Sequence, residues 1–236
     1  MGLGGTGMYT LNKNYFEKID TEKKAYFLGL FYADGCVCRR FSKTGRLKNM
    51  TFEITLSMED KNLLEEFLQD IEGDYPIKIK PVKYQGEILQ YARLSITNTA
   101  FCRQLIALGC VPQKSVILKF PSEDVIPKHL LSHFIRGYFD GNGCISCGEL
   151  PNRIPSRDGK YYYRAGFCGS KDMIDTIEDI LVGCTSLNKI KHVANGQAVA
   201  AMWSGRNNVT QLYSYLYQDA TIYMSRKFQK FQKYIA

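Results

Sequence analysis

Ala25-Tyr26-Phe27-Leu28-Gly29-Leu30-Phe31-Tyr32-Ala33-Asp34-Gly35-Cys36-Val37-Cys38 is answered 108 residues later by a second stretch of the same type. That stretch is His133-Phe134-Ile135-Arg136-Gly137-Tyr138-Phe139-Asp140-Gly141-Asn142-Gly143-Cys144-Ile145-Ser146-Cys147. Gly29 matches Gly137, Gly35 matches Gly143 and Cys36 matches Cys144. A repeat this long makes two similar halves the first expectation.

The flanks repeat as well. Ser57-Met58-Glu59-Asp60 opens an amphipathic stretch with Leu63, Leu64, Phe67, Leu68 and Ile71 at helical spacing. Ser170-Lys171-Asp172 opens another, with Met173, Ile174, Ile177, Ile180 and Leu181. Phe101 to Leu108 and Val209 to Leu216 supply a third helix to each half. Between the helices, residues 51–56, 91–96, 161–167 and 198–203 alternate as strands do. Lys78-Ile79-Lys80 and Lys189-Ile190-Lys191 read as matching basic strands with one apolar face. The expected fold class is α/β of the α+β kind, with helix, two strands, helix, two strands, helix in each half. The halves are assigned to 1–120 and 129–236, joined by a linker at 121–128, with a loose Gly-rich start at 1–10. Pro127 is placed to open the second motif helix.

Small residues define how the motif helices should pack. Ala25, Gly29 and Ala33 lie four apart, and Gly137 and Gly141 take the places of the last two. Such a stripe lies on one helix face, where two backbones can approach closely. Asp34 and Asn142 follow the stripes, each before a glycine expected to leave the helix in a left-handed conformation. A carboxylate at a helix C-terminus is electrostatically disfavoured unless a cation sits there, and Mg²⁺ takes oxygen ligands of this kind.

Composition narrows the partner. The 236 residues carry a net charge of +8 and a pI near 9.0, which fits a polyanion or an anionic surface. The charge is shared: residues 1–120 hold 17 basic and 13 acidic side chains, and residues 121–236 hold 14 and 10. No apolar run is long enough to span a membrane, and no secretion signal is visible, so an intracellular protein is expected. The eight cysteines then read as reduced thiols, and neither they nor His129, His133 and His192 are spaced as a metal-ligand set.

Phe27-Leu28-Gly29-Leu30-Phe31-Tyr32-Ala33-Asp34-Gly35 resembles the nine-residue motif of the LAGLIDADG homing endonucleases, and Ile135 to Gly143 resembles its second copy. The resemblance extends over residues 20–236. It implies a monomer of two α-β-β-α-β-β-α halves whose saddle-shaped antiparallel sheets lie in the major groove of double-stranded DNA, with no obligate protein partner. It implies Mg²⁺, or another divalent cation such as Mn²⁺ or Ca²⁺, held at Asp34, Asn142, Ala33 and Gly141. It also implies basic residues near the cut, here Lys114 and Lys227, and hydrolysis of both strands across the minor groove. The eighth motif residue of the second copy is Asn142 rather than Asp, which keeps an oxygen ligand and removes a charge. Asp140, two residues back, lies about 200° round the helix and cannot replace it. Three readings stay open: an endonuclease impaired by Asn142, one whose Asn142 was introduced to trap uncut DNA, or a non-cleaving descendant such as an intron maturase or transcriptional regulator. An intein would begin with Cys or Ser and end with His-Asn, which this chain does not.

DNA contacts are expected from the strands and their loops. In the first half these are Arg39, Arg40, Lys43, Arg46, Lys48, Lys78, Lys80, Lys83, Gln85 and Arg93. In the second they are Arg153, Arg157, Lys160, Tyr161, Arg164, Lys189, Lys191 and Arg206.

Overall fold

The computed structural model describes residues 9–84, 86–111, 117–149 and 161–235. The expected loose start therefore lies almost wholly outside the described residues, as do Gln85, Lys114, Arg153, Arg157 and Lys160.

The chain begins its first repeat with α1 (Glu22–Asp34), opened by Thr21, whose hydroxyl accepts from the Lys24 amide at 3.3 Å. Then come β1 (Cys36–Phe41), β2 (Leu47–Ser57), a 3₁₀ turn (Met58–Asp60), α2 (Lys61–Asp70), β3 (Ile77–Tyr84), β4 (Glu87–Ile96) and α3 (Thr99–Ala107). The second repeat starts at Pro127, which caps a 3₁₀ turn (Lys128–Leu130) running straight into α4 (Leu131–Asn142). It continues with β5 (Gly143–Glu149), β6 (Tyr161–Gly169), α5 (Lys171–Cys184), β7 (Val193–Asn195), β8 (Ala198–Ser204) and α6 (Arg206–Tyr217). A last helix, α7 (Ser225–Ile235), has no counterpart in the sequence reading. Its lysine-rich composition hides a narrow apolar line through Phe228 and Phe231.

Each repeat builds one four-stranded antiparallel sheet, in the orders β1-β2-β4-β3 and β5-β6-β8-β7. Strand alternation sends Phe52, Ile54 and Leu56, with Ala92 and Leu94 opposite, into the first core. There they meet Phe31, Phe67 and Phe101 in a cluster of close aromatic contacts. The second core is built likewise around Phe139, Phe167, Trp203 and Phe231. α1 is buried continuously from Ala25 to Tyr32 because it packs on its own sheet on one side and on α4 on the other.

Two expectations are corrected. Lys189-Ile190-Lys191 is not a strand; it precedes β7 and runs beside α5, where Lys189 pairs with Asp179 at 2.6 Å and His192 lies against Asp175 and Glu178. Three alternating residues suit an irregular segment pinned to acidic side chains as well as they suit a strand. Gly35 and Gly143 are not left-handed either: their φ, ψ values of −75°, 152° and −79°, 153° are extended and lead directly into β1 and β5. Glycine is needed there for space, since a Cβ on Gly143 would lie 2.3 Å from the Phe139 ring and one on Gly35 2.7 Å from the Phe52 ring.

Candidate metal centre and nucleic-acid interface

The two motif helices meet through their backbones. A Cβ on Gly29 would stand 2.0 Å from the Phe134 carbonyl oxygen and 2.9 Å from the Tyr138 nitrogen. One on Gly137 would stand 2.0 Å from the Tyr26 carbonyl oxygen and 2.9 Å from the Leu30 nitrogen. Phe134 and Tyr138 are the repeat equivalents of Tyr26 and Leu30, so the contact is reciprocal, as a two-fold axis requires. Each glycine thus directs a Cα hydrogen at a carbonyl of the facing helix.

This approach sets the helix ends side by side. A Cβ on Gly141 would be 2.2 Å from the Ala33 Cβ and 3.0 Å from Asp34 Oδ2, so the Asp34 carboxylate rests against the residue preceding Asn142. Asp34 is exposed and Asn142 half-buried. Tyr138 lies one turn before Asn142 on α4, and its hydroxyl donates to the Cys168 carbonyl at 3.1 Å. Burial pushes the Tyr138 phenol up to about 12, with a side-chain hydrogen bond to Asn142 working against it.

A cavity of about 650 Å³ opens beside Asp34, lined by Ser57, Glu59, Gln90, Tyr91 and Arg226. Arg226 comes from α7 and is anchored by Nε to the buried Asp60 carboxylate at 2.7 Å. A smaller cavity, about 200 Å³, opens beside Asn142 and is lined by Tyr32, Tyr138, Cys168 and Ala198.

Asp140 faces away from both cavities. Fully buried, it accepts from Tyr217 Oη at 2.6 Å, the Met224 amide at 2.7 Å and Tyr26 Oη at 2.8 Å. Burial raises its carboxyl, against those three bonds. Arg136, 1% exposed, donates to the carbonyls of Ile222 and Leu216 and to Glu22 Oε1 at 2.7 Å. Burial works to raise Glu22, but the two Thr221 bonds and Arg136 outweigh it, and the carboxyl sits below its usual value. Lys227 is buried as well. Its Nζ donates at 2.7 Å to both the Phe139 and Gly143 carbonyls, at the end of α4, and burial lowers it to about 8. The sequence reading assigned Lys227 to the reacting centre; the structure places its ammonium on the backbone that carries Asn142.

No protein-family model matches the chain, and no curated protein matches it in sequence. Solved structures do. The meganuclease I-SmaMI bound to uncleaveable DNA superposes with a TM-score of 0.59 at 15% identity, over 92% of this chain and 88% of that one. The I-LtrWI LAGLIDADG homing endonuclease bound to target DNA gives 0.54 at 14%, over 94% and 90%. I-GzeII, a LAGLIDADG homing endonuclease in complex with its DNA target, gives 0.57 at 13%, over 89% and 88%.

The fold is that of the LAGLIDADG homing endonucleases.

Directly paired residues share a sheet face, so the register tells which basic side chains point outward. Arg40, Lys78, Lys80 and Arg93 all point outward from the first sheet, opposite Asn49, Arg93, Tyr91 and Lys78 respectively. Arg93 also pairs with Glu53. Arg39, opposite the buried Met50, has the other parity, as do Lys48, Lys83 and Tyr161, all exposed at strand ends. Lys43 and Arg46 sit in the turn between β1 and β2. On the second sheet only Arg164, opposite Ser146 and Ser204, projects a basic group outward among the described strand residues. Lys191 is exposed beside α5, and Arg206 opens α6 with a 3.4 Å bond to the Ile235 carbonyl, away from the sheet face. The sequence reading missed Arg226, Asp60, Arg136 and Glu22. Their roles depend on partners 80 to 200 residues away, which no local pattern announces.

Proposed function

We propose that the chain is a site-specific double-stranded DNA endonuclease of the homing type, acting as a monomer with a divalent cation, preferentially Mg²⁺. The observation that supports this is the reciprocal glycine contact, which sets the ends of α1 and α4, with Asp34 and Asn142, side by side. The duplex lies along the outward faces, with Arg40, Lys78, Lys80, Arg93 and Arg164 toward it, over roughly two helical turns. Its minor groove then crosses the helix ends at Asp34.

The donor set suits a hard cation that completes its shell with phosphate oxygens and water. It offers one exposed carboxylate, one amide oxygen and the Ala33 and Gly141 carbonyls, and no group of three acidic, His or Cys side chains among the described residues. Bound there, the cation would polarise the scissile phosphate and activate water. The chain's own residues do the rest. Asp34 supplies negative charge to hold the cation, and Asn142 supplies oxygen without charge. Arg226, fixed by Asp60, offers the remainder of its guanidinium to a phosphate in the Asp34 cavity. I-SmaMI has been solved with uncleaved DNA in the presence of calcium ions, which supports a divalent cation in this fold.

With one carboxylate, the centre is unequal. Cleavage is fastest on the strand served by Asp34 and slower on the other, down to nicking alone. The second reading, a binding protein that no longer cuts, is favoured by the same Asn142. The test is to select duplex sites from a random pool, then incubate a plasmid bearing the site with Mg²⁺ or EDTA. Mg²⁺-dependent nicking or linearisation at the site supports the endonuclease. Tight binding without either supports the second reading, and absence of duplex binding refutes both.

A further inference from the structure

The two outward sheet faces are built from different chemistry. The register makes the comparison residue by residue, because β2 pairs with β4 as β6 pairs with β8, and Ser57 and Ser170 end β2 and follow β6 at the same point of the repeat. Where the first sheet has the pair Glu53–Ser95, the second has Gly166–Met202. Where the first has Thr55–Arg93, the second has Cys168–Ala200. Tyr91 is answered by Ala198. On β2 and β4 five hydrogen-bonding side chains are thus replaced, on β6 and β8, by five that are apolar, absent or weakly polar; beside them β7 adds one polar group, Asn195, opposite Ala198, whose amide is occupied in donating to Cys168 Sγ at 3.1 Å. The replacement is nearest the centre, since Cys168 and Ala198 line the cavity beside Asn142. Gly166 is fixed by packing: a Cβ there would lie 1.9 Å from the Ala201 carbonyl oxygen.

In the major groove, hydrogen-bonding side chains distinguish all four base pairs, whereas an apolar side chain has one specific partner, the C5 methyl of thymine. We infer that the second sheet reads the centre-proximal part of its half-site through thymine methyl groups, with Cys168, Ala198, Ala200 and Met202 as the contacting residues. The first sheet reads the opposite half-site through hydrogen bonds. The inference rests on the reading of the chain as a duplex-DNA-binding protein, and it fixes which base pairs one half accepts. The occupant of this apolar face is DNA because it continues, across the two-fold relation, the basic face that carries Arg40, Lys78, Lys80 and Arg93. Its small side chains let the groove floor come close, which a methyl contact requires.

The experiment uses the whole chain and the duplex it selects from a random pool. The centre-proximal positions of one half-site should be enriched in A·T pairs. Ala200→Arg, restoring the residue type of Arg93, should shift preference at those positions toward G·C and so mark that half-site as the second sheet's. Deoxyuridine then replaces thymine in each half-site in turn, removing only the methyl. A loss of about fourfold in affinity per thymine, one buried methyl's worth, is expected in the marked half and none in the other. Equal losses in both halves, or no loss in the marked half, overturn the inference while leaving DNA binding intact. No selected duplex at all overturns the functional reading with it.

Discussion

Lys227 Nζ lies 2.7 Å from the Gly143 carbonyl oxygen, one residue past Asn142. The same ammonium holds the Phe139 carbonyl at 2.7 Å, so a buried cation closes the C-terminal end of α4, where the helix dipole is negative. A side chain from α7 thereby fixes the peptide that presents Asn142. Removing it, as in Lys227→Met, leaves two inward-facing carbonyls without this donor and should cost about 1–3 kcal/mol in denaturant unfolding.

The same lysine gives a pH signature. Its folded value is about 8, below the 10.5 of the free side chain. Between those values the unfolded chain binds the extra proton, so this group's contribution to stability rises with pH from about 8 and is smallest below that. The slope is at most about 1.4 kcal/mol per pH unit. Unfolding measured from about pH 8 to pH 9.5 should show that slope in the wild type and lose it in Lys227→Met. Parallel pH profiles would remove the lysine from this role.

Asp34→Ala should abolish divalent-cation binding at the centre and leave duplex affinity equal or slightly higher, because a carboxylate facing phosphate is removed. Cleavage with and without Mg²⁺, beside a gel-shift titration, separates the two effects. Undiminished Mg²⁺-dependent cleavage by Asp34→Ala would refute the assignment.

Asn142→Asp should create or raise Mg²⁺-dependent double-strand cleavage with no change of site. A hundredfold gain corresponds to about 2.7 kcal/mol of transition-state stabilisation, a reasonable amount for one added charge beside a cation. The readout is the ratio of linear to nicked plasmid. If the variant binds its site and stays inert, the binding-only reading replaces the endonuclease.

Gly137→Ala tests the helix contact. Its Cβ would fall 2.0 Å from the Tyr26 carbonyl oxygen, and backbone cannot swing aside as a side chain can. Destabilisation of about 3 kcal/mol or more is expected, and chemical denaturation measures it. The same change at Gly183, where a Cβ meets nothing within 4 Å, should be nearly silent.

Much of this architecture was legible in the sequence because it is encoded by residues that must be small or must alternate. Gly29 and Gly137 announced the helix contact, and strands such as Thr51–Leu56 carried their period of two. The adjoining helix ends that carry Asp34 and Asn142 were legible too. What surrounds them was not. Arg226 meets Asp60 across 166 residues, and Arg136 meets Glu22 across 114. That Lys227 turns inward onto the Phe139 and Gly143 carbonyls was not legible, because α7 shows its apolar line only once the helix is formed. Lys189-Ile190-Lys191 misled because alternation over three residues fits many backbones, and acidic neighbours on α5 chose another.

The union of α1 and α4 through main-chain atoms also bears on how such a chain can be recombined. A backbone contact is nearly blind to side-chain identity, so a half from another chain with the same glycine spacing could be grafted in place of either repeat. What would decide whether the chimera folds is a pair of ionic latches, Glu22 with Arg136 and Asp60 with Arg226, each of which takes one member from either side of the graft. A hybrid that kept the glycines but broke a latch would strand a buried Arg136 or Asp60 without its counterion, so compatibility between halves is set less by the helices that touch than by these two distant pairs.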